Sequence, residues 1–367
     1  MKKFIIISFV FVLILAMSAM ATETRVWTMG NNNGVLIDDA NIWMYPSTIV
    51  NYGNLVTVDY YGGSGEFDYV GANWSLNNSN KGTIGTYFSN NYGADRMHLF
   101  YGQQLGGNNF GAHLDLNQQS SKYEGTDSSE YGYNYYDLTL GLSDPGGQWD
   151  LAVNFGTSNY QYTNSSGFKY QEGDGINNMG VMGRYWKVRN PNYTQVYHVA
   201  IMMDKFGYIA HTDTPATDST FSSKNFGFDA GCGFNFTPSN NVLAVFDFGI
   251  MYTKNTSESA RRTYDLNDKN FILPYFKLGV DGEVFKWLDV RFGATSYWNN
   301  STDEMSDIDK NITKDASNDT YFGLGFNFNR LHVDIEANPD VFFRGPNFIS
   351  GANENLSDGS LSATFDL

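Results

Sequence analysis

Apolar residues fall on every second position in one stretch after another, from about residue 95 to the end of the chain. Successive side chains of an extended strand point to opposite faces, so a period of two gives each strand one greasy and one polar face. Ile272, Phe276, Leu278 and Val280 alternate with Tyr275, Lys277, Gly279 and Asp281. Leu288, Val290, Phe292 and Ala294 oppose Asp289, Arg291, Gly293 and Thr295, and Phe322, Leu324, Phe326 and Phe328 oppose Tyr321, Gly323, Gly325 and Asn327. The same holds for the even positions from Phe226 to Phe236, for Trp149 to Phe155, for Leu331 to Ile335, and for Leu361 to Leu367. Helices would need a period near 3.6, so the chain is an all-β protein.

The connections separate a sandwich from a barrel. Those near 105–108, 144–147, 189–192, 238–241, 283–286 and 329–330 are short. Those near 118–130, 157–177, 204–223, 254–269, 299–318 and 338–358 are long and polar. Strict short–long alternation marks a transmembrane antiparallel up-and-down β-barrel, with turns on the periplasmic side and loops outside. The short connections carry turn chemistry, as in Asp144-Pro145-Gly146-Gly147 and Arg189-Asn190-Pro191-Asn192. Counting from Asn54 gives about sixteen strands, the first four (near 54–61, 66–76, 82–90 and 95–105) being the least regular. Fourteen is the alternative if an early hairpin is misread.

Lys2 and Lys3, the apolar run Phe4 to Met17 and Ala19-Met20-Ala21 read as a secretory signal peptide over residues 1–21. That run is about 14 residues, short of the ~20 that span a bilayer. Residues 22–53 lack alternation and are expected to sit in or beneath the barrel as a plug, with the barrel itself over 54–367. Aromatics reach 16%, with 38 Gly, 8 Pro and a single cysteine, Cys232. One cysteine forms no internal disulfide; its parity puts it on the lipid side as a small apolar filler. Trp149, Tyr185, Trp186, Tyr252, Trp287, Tyr297 and Trp298, near strand ends, suit aromatic girdles at the two interfaces.

The net charge of −16 makes nucleic acid an improbable partner. By parity Asp115, Asp137, Asp150, Asp229, Asp247, Asp281, Asp289, Asp334 and Glu336 point inward, with Lys277 and Arg291 as the chief bases and His332 beside them. A base facing lipid at the bilayer midplane costs roughly 2–4 kcal/mol, so charges on these strands are forced inward. Two readings stay open: a cation-preferring aqueous path, or carboxylates paired across the lumen or bonded to the plug. Asp303, Glu304, Asp307, Asp309 and Asp315 crowd one long connection. Spaced carboxylates can hold calcium, but Ile312 stands where the loop of an EF-hand needs Gly, and a solvated acidic loop is the simpler reading.

Ile37-Asp38-Asp39-Ala40-Asn41-Ile42-Trp43-Met44-Tyr45-Pro46-Ser47-Thr48-Ile49 resembles the D-x-x-x-x-x-x-N-P-A-x-L motif of the long-chain fatty acid transporter and PorV-like outer-membrane proteins. Asp38, Asp39, Tyr45 and Pro46 carry the match over about a dozen residues; Tyr45 replaces the usual Asn and Ser47 the usual Ala. The hairpin from Leu273-Pro274-Tyr275 to Arg291-Phe292-Gly293-Ala294 also resembles late barrel hairpins of that group. The resemblance implies a fourteen-stranded barrel plugged by its N-terminal segment, and transport or secretion-accessory work. The motif is structural and implies no substrate residue. The terminal residue is Leu367 rather than the Phe usual in outer-membrane proteins, with Phe365 two back.

No catalytic signature stands out. Gly62-Gly63-Ser64-Gly65 lacks the G-x-S-x-G spacing, H-E-x-x-H is absent, and His98, His113, His198, His211 and His332 are far apart in sequence. No cofactor or metal is implied. The expected function is passive transport of small, hydrophobic or cationic solutes across the outer membrane. A non-transporting scaffold or secretion accessory comes second, and an outer-membrane enzyme third. Expected partners are outer-membrane lipid and, during insertion, the barrel-assembly machinery.

Overall fold

In the computed structural model the described residues are 23–61, 66–76, 82–91, 94–123, 129–164, 169–172, 177–211, 219–259, 266–305, 309–337 and 359–367. The signal-peptide segment, Asp307 and all of 338–358 lie outside them.

The strands are β1 (Leu55–Tyr61), β2 (Glu66–Ser75), β3 (Thr83–Asn91), β4 (Ala94–Leu105), β5 (Asn108–Tyr123) and β6 (Ser129–Ser143). Then come β7 (Trp149–Asn164), β8 (Lys169–Glu172), β9 (Asn178–Asn190), β10 (Tyr193–His211), β11 (Ser219–Ser239) and β12 (Val242–Ser259). The last are β13 (Leu266–Phe285), β14 (Leu288–Met305), β15 (Asp309–Phe328), β16 (Leu331–Ala337) and β17 (Ser360–Asp366). β8 and β9 both lie between β7 and β10, so they are two pieces of one interrupted stave. Every neighbour is antiparallel, and β1 pairs with β17, which closes the cylinder at sixteen staves. With β1 joined to β17, neither is left as a free edge strand among the described residues, the condition for a sheet in lipid. The fourteen strands implied by resemblance are thus corrected to the sixteen counted from residues.

The tight connections share one end with the start of β1 and the C-terminus. At Asp144 the side chain accepts from the Gln148 backbone N–H at 3.1 Å and the carbonyl from the Gly147 N–H at 2.8 Å. Gly147 sits at φ 69°, a left-handed position that costs glycine least.

At the other end the strands run much farther than expected. β10 continues to His211, β12 to Ser259 and β14 to Met305, so most of 204–223, 254–269 and 299–318 is sheet rather than loop. Polar sequence hid this, because alternation between two polar faces leaves no hydropathy signal. Two further corrections follow from register. An extra residue between Ile272 and Tyr275 turns Ile272 inward, opposite Met251 and Asn299, and leaves Phe271 outside. Trp186 is 4% exposed in the interior, and Tyr297 packs its ring 6.4 Å from the buried Tyr275, so neither belongs to a girdle. Trp149, Tyr185, Tyr252 and Trp298 keep outward parity, and Trp287, in the turn between β13 and β14, stacks on the outward Phe285 and Phe326.

The N-terminal segment fills the lumen at the short-turn end. It comprises a helical turn, α1 (Glu23–Thr28), and two 3-10 turns, η1 (Asp39–Trp43) and η2 (Pro46–Asn51). Gly30 and Asn31, both at positive φ, stop α1, and the Asn31 N–H closes onto the Val26 carbonyl at 3.0 Å. Asp38 caps η1: its side chain accepts from the Ala40 N–H at 3.1 Å while Asn41 accepts from the Asp38 N–H at 2.9 Å. One apolar cluster joins Val26, Met29, Val35, Leu36 and Ala40 to the barrel's Trp186, Val196 and Val245. A second joins Ile42 and Ile49 to Tyr69, Tyr87 and Phe100, with Trp43 set edge-on to Tyr87 and Phe100.

Glycines on the inner wall make this fit possible. A Cβ on Gly279 would stand 2.5 Å from the Met29 carbonyl, and one on Gly293 would meet the Thr28 carbonyl at 2.6 Å. Across the lumen, Gly102, Gly111 and Gly141 lie in one cross-strand row under η2, where a Cβ would strike Ile49, Pro46 and Ser47.

Candidate functional site

The lumen has three levels. On the floor, Arg184 holds the plug. Its Nε donates to Asp150 at 2.8 Å, its Nη1 to the carbonyls of Asn33 and Leu36 at 3.0 and 2.8 Å, and its Nη2 to Asn41 Oδ1 at 2.7 Å. The guanidinium also lies over the rings of Tyr45 and Trp186, at 4.4 and 4.3 Å. A planar group with five donors suits such a junction; lysine does not. Opposite, Arg25 spans Asp38 at 3.0 Å and Asp281 at 2.9 Å. Arg291, 1% exposed, gathers Asp281 at 3.2 Å, Asp289 at 3.6 Å and Asp334. His332 sits 2.7 Å from Asp334, and Lys277 donates to the Asn31 carbonyl at 3.0 Å.

Two carboxyls of the plug lack such compensation. Burial, with Asp68 nearby, pushes Glu23 up from 4.5 to about 7. Burial beside Asp38 likewise holds Asp39 well above the usual carboxylate range. Both are poised to be protonated when the plug is seated, because charge in a desolvated site is costly.

The middle level holds two polar clusters. In one, Asp115 lies 3.4 Å from Arg96 and 3.6 Å from His98, and Asp137 accepts from Tyr135 at 3.1 Å and from Asn154. In the other, His198 contacts both oxygens of Asp247 at 3.1 Å, and Tyr275 donates to Asp229 at 3.0 Å. Glu336 accepts from Ser360 at 2.8 Å.

The third level is hollow among the described residues. A cavity of about 520 Å³ lies toward the long-strand end. Its wall includes a cross-strand row of Asp204, Asn225, Asn255, Asp268 and Asp303, each opposite the next on consecutive strands β10 to β14. Met202 forms part of the lining. Glu304 of the acidic stretch points outward instead and takes Lys269 at 3.0 Å and Lys310 at 2.7 Å. Among the described residues no group of three or more His, Cys, Asp or Glu could hold a metal ion.

Every inward residue singled out above meets a partner on another strand or on the plug, Asp289 and His332 through Asn327 of β15. Asp38, Asp39, Tyr45 and Pro46 all lie in the plug. Sequence reasoning missed Arg25, Arg96 and Arg184 as inward bases. Arg184 was within reach: Gly180, Met182, Arg184 and Trp186 share parity with Asp150 through the β7–β9 register, but only pairing reveals that.

Histidines distant in sequence also converge. His98 Nδ1 is 3.2 Å from His113 Nε2, and its Nε2 is 2.9 Å from Ser89 Oγ. Ser89, His98 and Asp115 thus line up on β3, β4 and β5 in the order of a hydrolytic triad. Two features weigh against that chemistry. Asp115 stands 3.6 Å from His98, beyond hydrogen-bond range, while His113 is nearer. The backbone N–H groups around Ser89 belong to a paired ladder with β4, so they are not grouped to stabilise an oxyanion.

No protein-family model matches the chain, and no curated protein matches it. Among solved structures it is similar to the Pseudomonas putida toluene transporter TodX (10% identity, TM-score 0.40, covering 96% of this chain and 100% of that one). It is also similar to a Pseudomonas aeruginosa FadL homologue (12%, TM-score 0.45, 96% and 99%) and to the copper transporter OprC (8%, TM-score 0.44, 77% and 45%). Likeness this distant assigns neither family nor function to the chain.

Proposed function

We propose that this protein is an outer-membrane barrel for the passive passage of small solutes, closed at rest by its own N-terminal segment. The carrying observation is the combination of a closed sixteen-stave cylinder, apolar outside, with an interior that is hollow among the described residues toward the long-strand end and stoppered toward the turns. An outward apolar face is what lipid requires, and a polar inner face is what a solute path requires. The stopper is seated by charge pairs and hydrogen bonds as well as by apolar contact. Polar seats can be exchanged for water, so displacement of residues 22–53 is the opening step. The basin of Asp204, Asp268 and Asp303 over Met202 suits small cationic or amphipathic solutes.

A second reading, a non-transporting scaffold, is favoured by the depth of the Arg184 and Arg291 networks, which hold the stopper and wall at many points. Planar-bilayer conductance separates the two. Under the transport reading the full mature chain shows rare openings, and a chain lacking residues 23–51 conducts steadily. A shortened chain that inserts yet stays silent toward ions, and fails to swell liposomes in small solutes, sinks transport and leaves the scaffold.

A further inference from the structure

Four adjacent strands end their lipid-side run in the same way. On β10 the outward positions from Tyr193 to Met203 are apolar or aromatic apart from Gln195, and the next outward residue is Lys205. On β11 the run from Phe236 to Phe226 ends at Lys224. On β12 the run from Val242 to Tyr252 ends at Lys254, and on β13 Phe271 is followed by Lys269. A ten-residue run at about 3.4 Å per residue, on a strand tilted by about 35–45°, covers roughly 25 Å, the height of the lipid-facing band of such barrels. The lysines therefore begin where the hydrocarbon ends. Beneath them lies an aromatic course, with Phe226 and Tyr252 6.2 Å apart and Tyr252 and Phe271 6.5 Å apart, the residue type that marks the interface.

The lysines also sit on one another. Lys205 is directly opposite Lys224, and Lys254 directly opposite Lys269. Like charges so placed destabilise a sheet unless an anion lies between them. Lys269 is answered by Glu304 at 3.0 Å, which Lys310 shares. The acids next to the others, Asp204 and Asp268, point into the lumen, and the outward Glu258, four residues beyond Lys254 on its strand and diagonal to Lys224 across β11 and β12, is the one other outward acid beside the row among the described residues of β10 to β13.

We propose that the outward row of Lys205, Lys224 and Lys254, with Lys269 at its margin, docks the phosphate groups of lipid headgroups in the leaflet on the long-strand side. The inference rests on the membrane-barrel reading above. Charge-assisted N–H···O bonds to phosphate match the lysine heads, and the aromatic course would meet the acyl-chain end of the same lipid. The strands continue past the lysines to His211 and Ser259, so the sheet stands alongside the headgroups rather than ending below them.

The test uses the full mature chain in detergent, with lipid retention read by native mass spectrometry. The probe is diphosphoryl lipid A against the same lipid stripped of both phosphates. The wild type is expected to retain the phosphorylated form at least about ten-fold more strongly. The K205Q/K224Q/K254Q chain should lose that preference, and K205R/K224R/K254R should keep it. Lys187→Gln with Arg189→Gln, outward at the opposite end, should leave it unchanged. Inorganic phosphate at equal phosphate concentration should not displace the lipid; displacement would make this a free-anion site and overturn the lipid assignment. A preference that survives the triple Gln change overturns the proposal outright. Failure of the wild type to insert into phosphatidylcholine vesicles would instead sink the membrane reading, a separate outcome.

Discussion

The turn-side and loop-side halves of the barrel share one backbone and differ in what fills them. Toward the turns, the wall is lined with glycines and charged residues that fit one partner, the N-terminal segment. Gly111, Gly233, Gly279, Gly293 and Gly323 there have plug atoms within 3 Å of a notional Cβ, whereas Gly227, inward near the loop side, has nothing closer than 3.9 Å. Toward the loops, the strands run long and face a cavity lined by Asp and Asn. One end is built as a lock and the other as a basin. A chain meant only to stand in a membrane needs neither, and a rigid pore needs no lock.

The largest break in that contrast is Arg184→Ala. It leaves Asp150 buried without its partner and removes every bond from Arg184 to the plug; breaking a buried pair costs about 3–5 kcal/mol. Conductance of the variant should rise by at least about a hundred-fold if the plug gates the lumen, measured as single-channel open probability at unchanged sheet content. A smaller step is Gly293→Ala, where the new methyl meets plug backbone and overpacking costs about 1–3 kcal/mol. Protease should then reach residues 23–53 faster than in the wild type, with the sheet still resistant.

Next comes pH. Glu23 titrates near 4.5 when free and about 7 when seated, so the seated form binds the proton more tightly. Seating is strongest below about 4.5 and is lost progressively as pH rises toward 7. Open probability should therefore climb over that window, and Glu23→Gln should flatten its share of the climb. An unchanged profile in the variant assigns the dependence elsewhere, Asp39 being the next candidate.

Smaller still is the effect of Asp204→Asn with Asp268→Asn and Asp303→Asn. Cation over anion permeability, read from reversal potentials in a salt gradient, should fall by roughly two-fold. Gly227→Ala should do almost nothing, within about 0.5 kcal/mol of stability. A large effect there would erase the distinction between lock and basin.

Legibility in the sequence followed the kind of contact. Phe292 and Arg291 were assignable to opposite faces because neighbours on a strand must diverge. Asp38 and Pro46 were legible as a plug motif only by resemblance, since the turns they make carry no alternation. Thr253 to Ser257 was not legible as strand, because both of its faces are polar. Ile272 was misplaced because one inserted residue flips a register without marking itself in hydropathy. His98 and His113 could not be placed together without the pairing of β4 with β5.

The chain by itself determined the alternation, the tight turns, the surplus of inward acid and hence a cylinder with an apolar outside. These are properties of adjacent residues and survive in any register. Only the tertiary structure decided that Arg25 reaches Asp281, 256 positions away, that Arg184 clasps the plug, and that Gly102, Gly111 and Gly141 form one seat. Those contacts depend on how the strands are staggered and where the cylinder closes, and stagger is set by the summed fit of every pair at once.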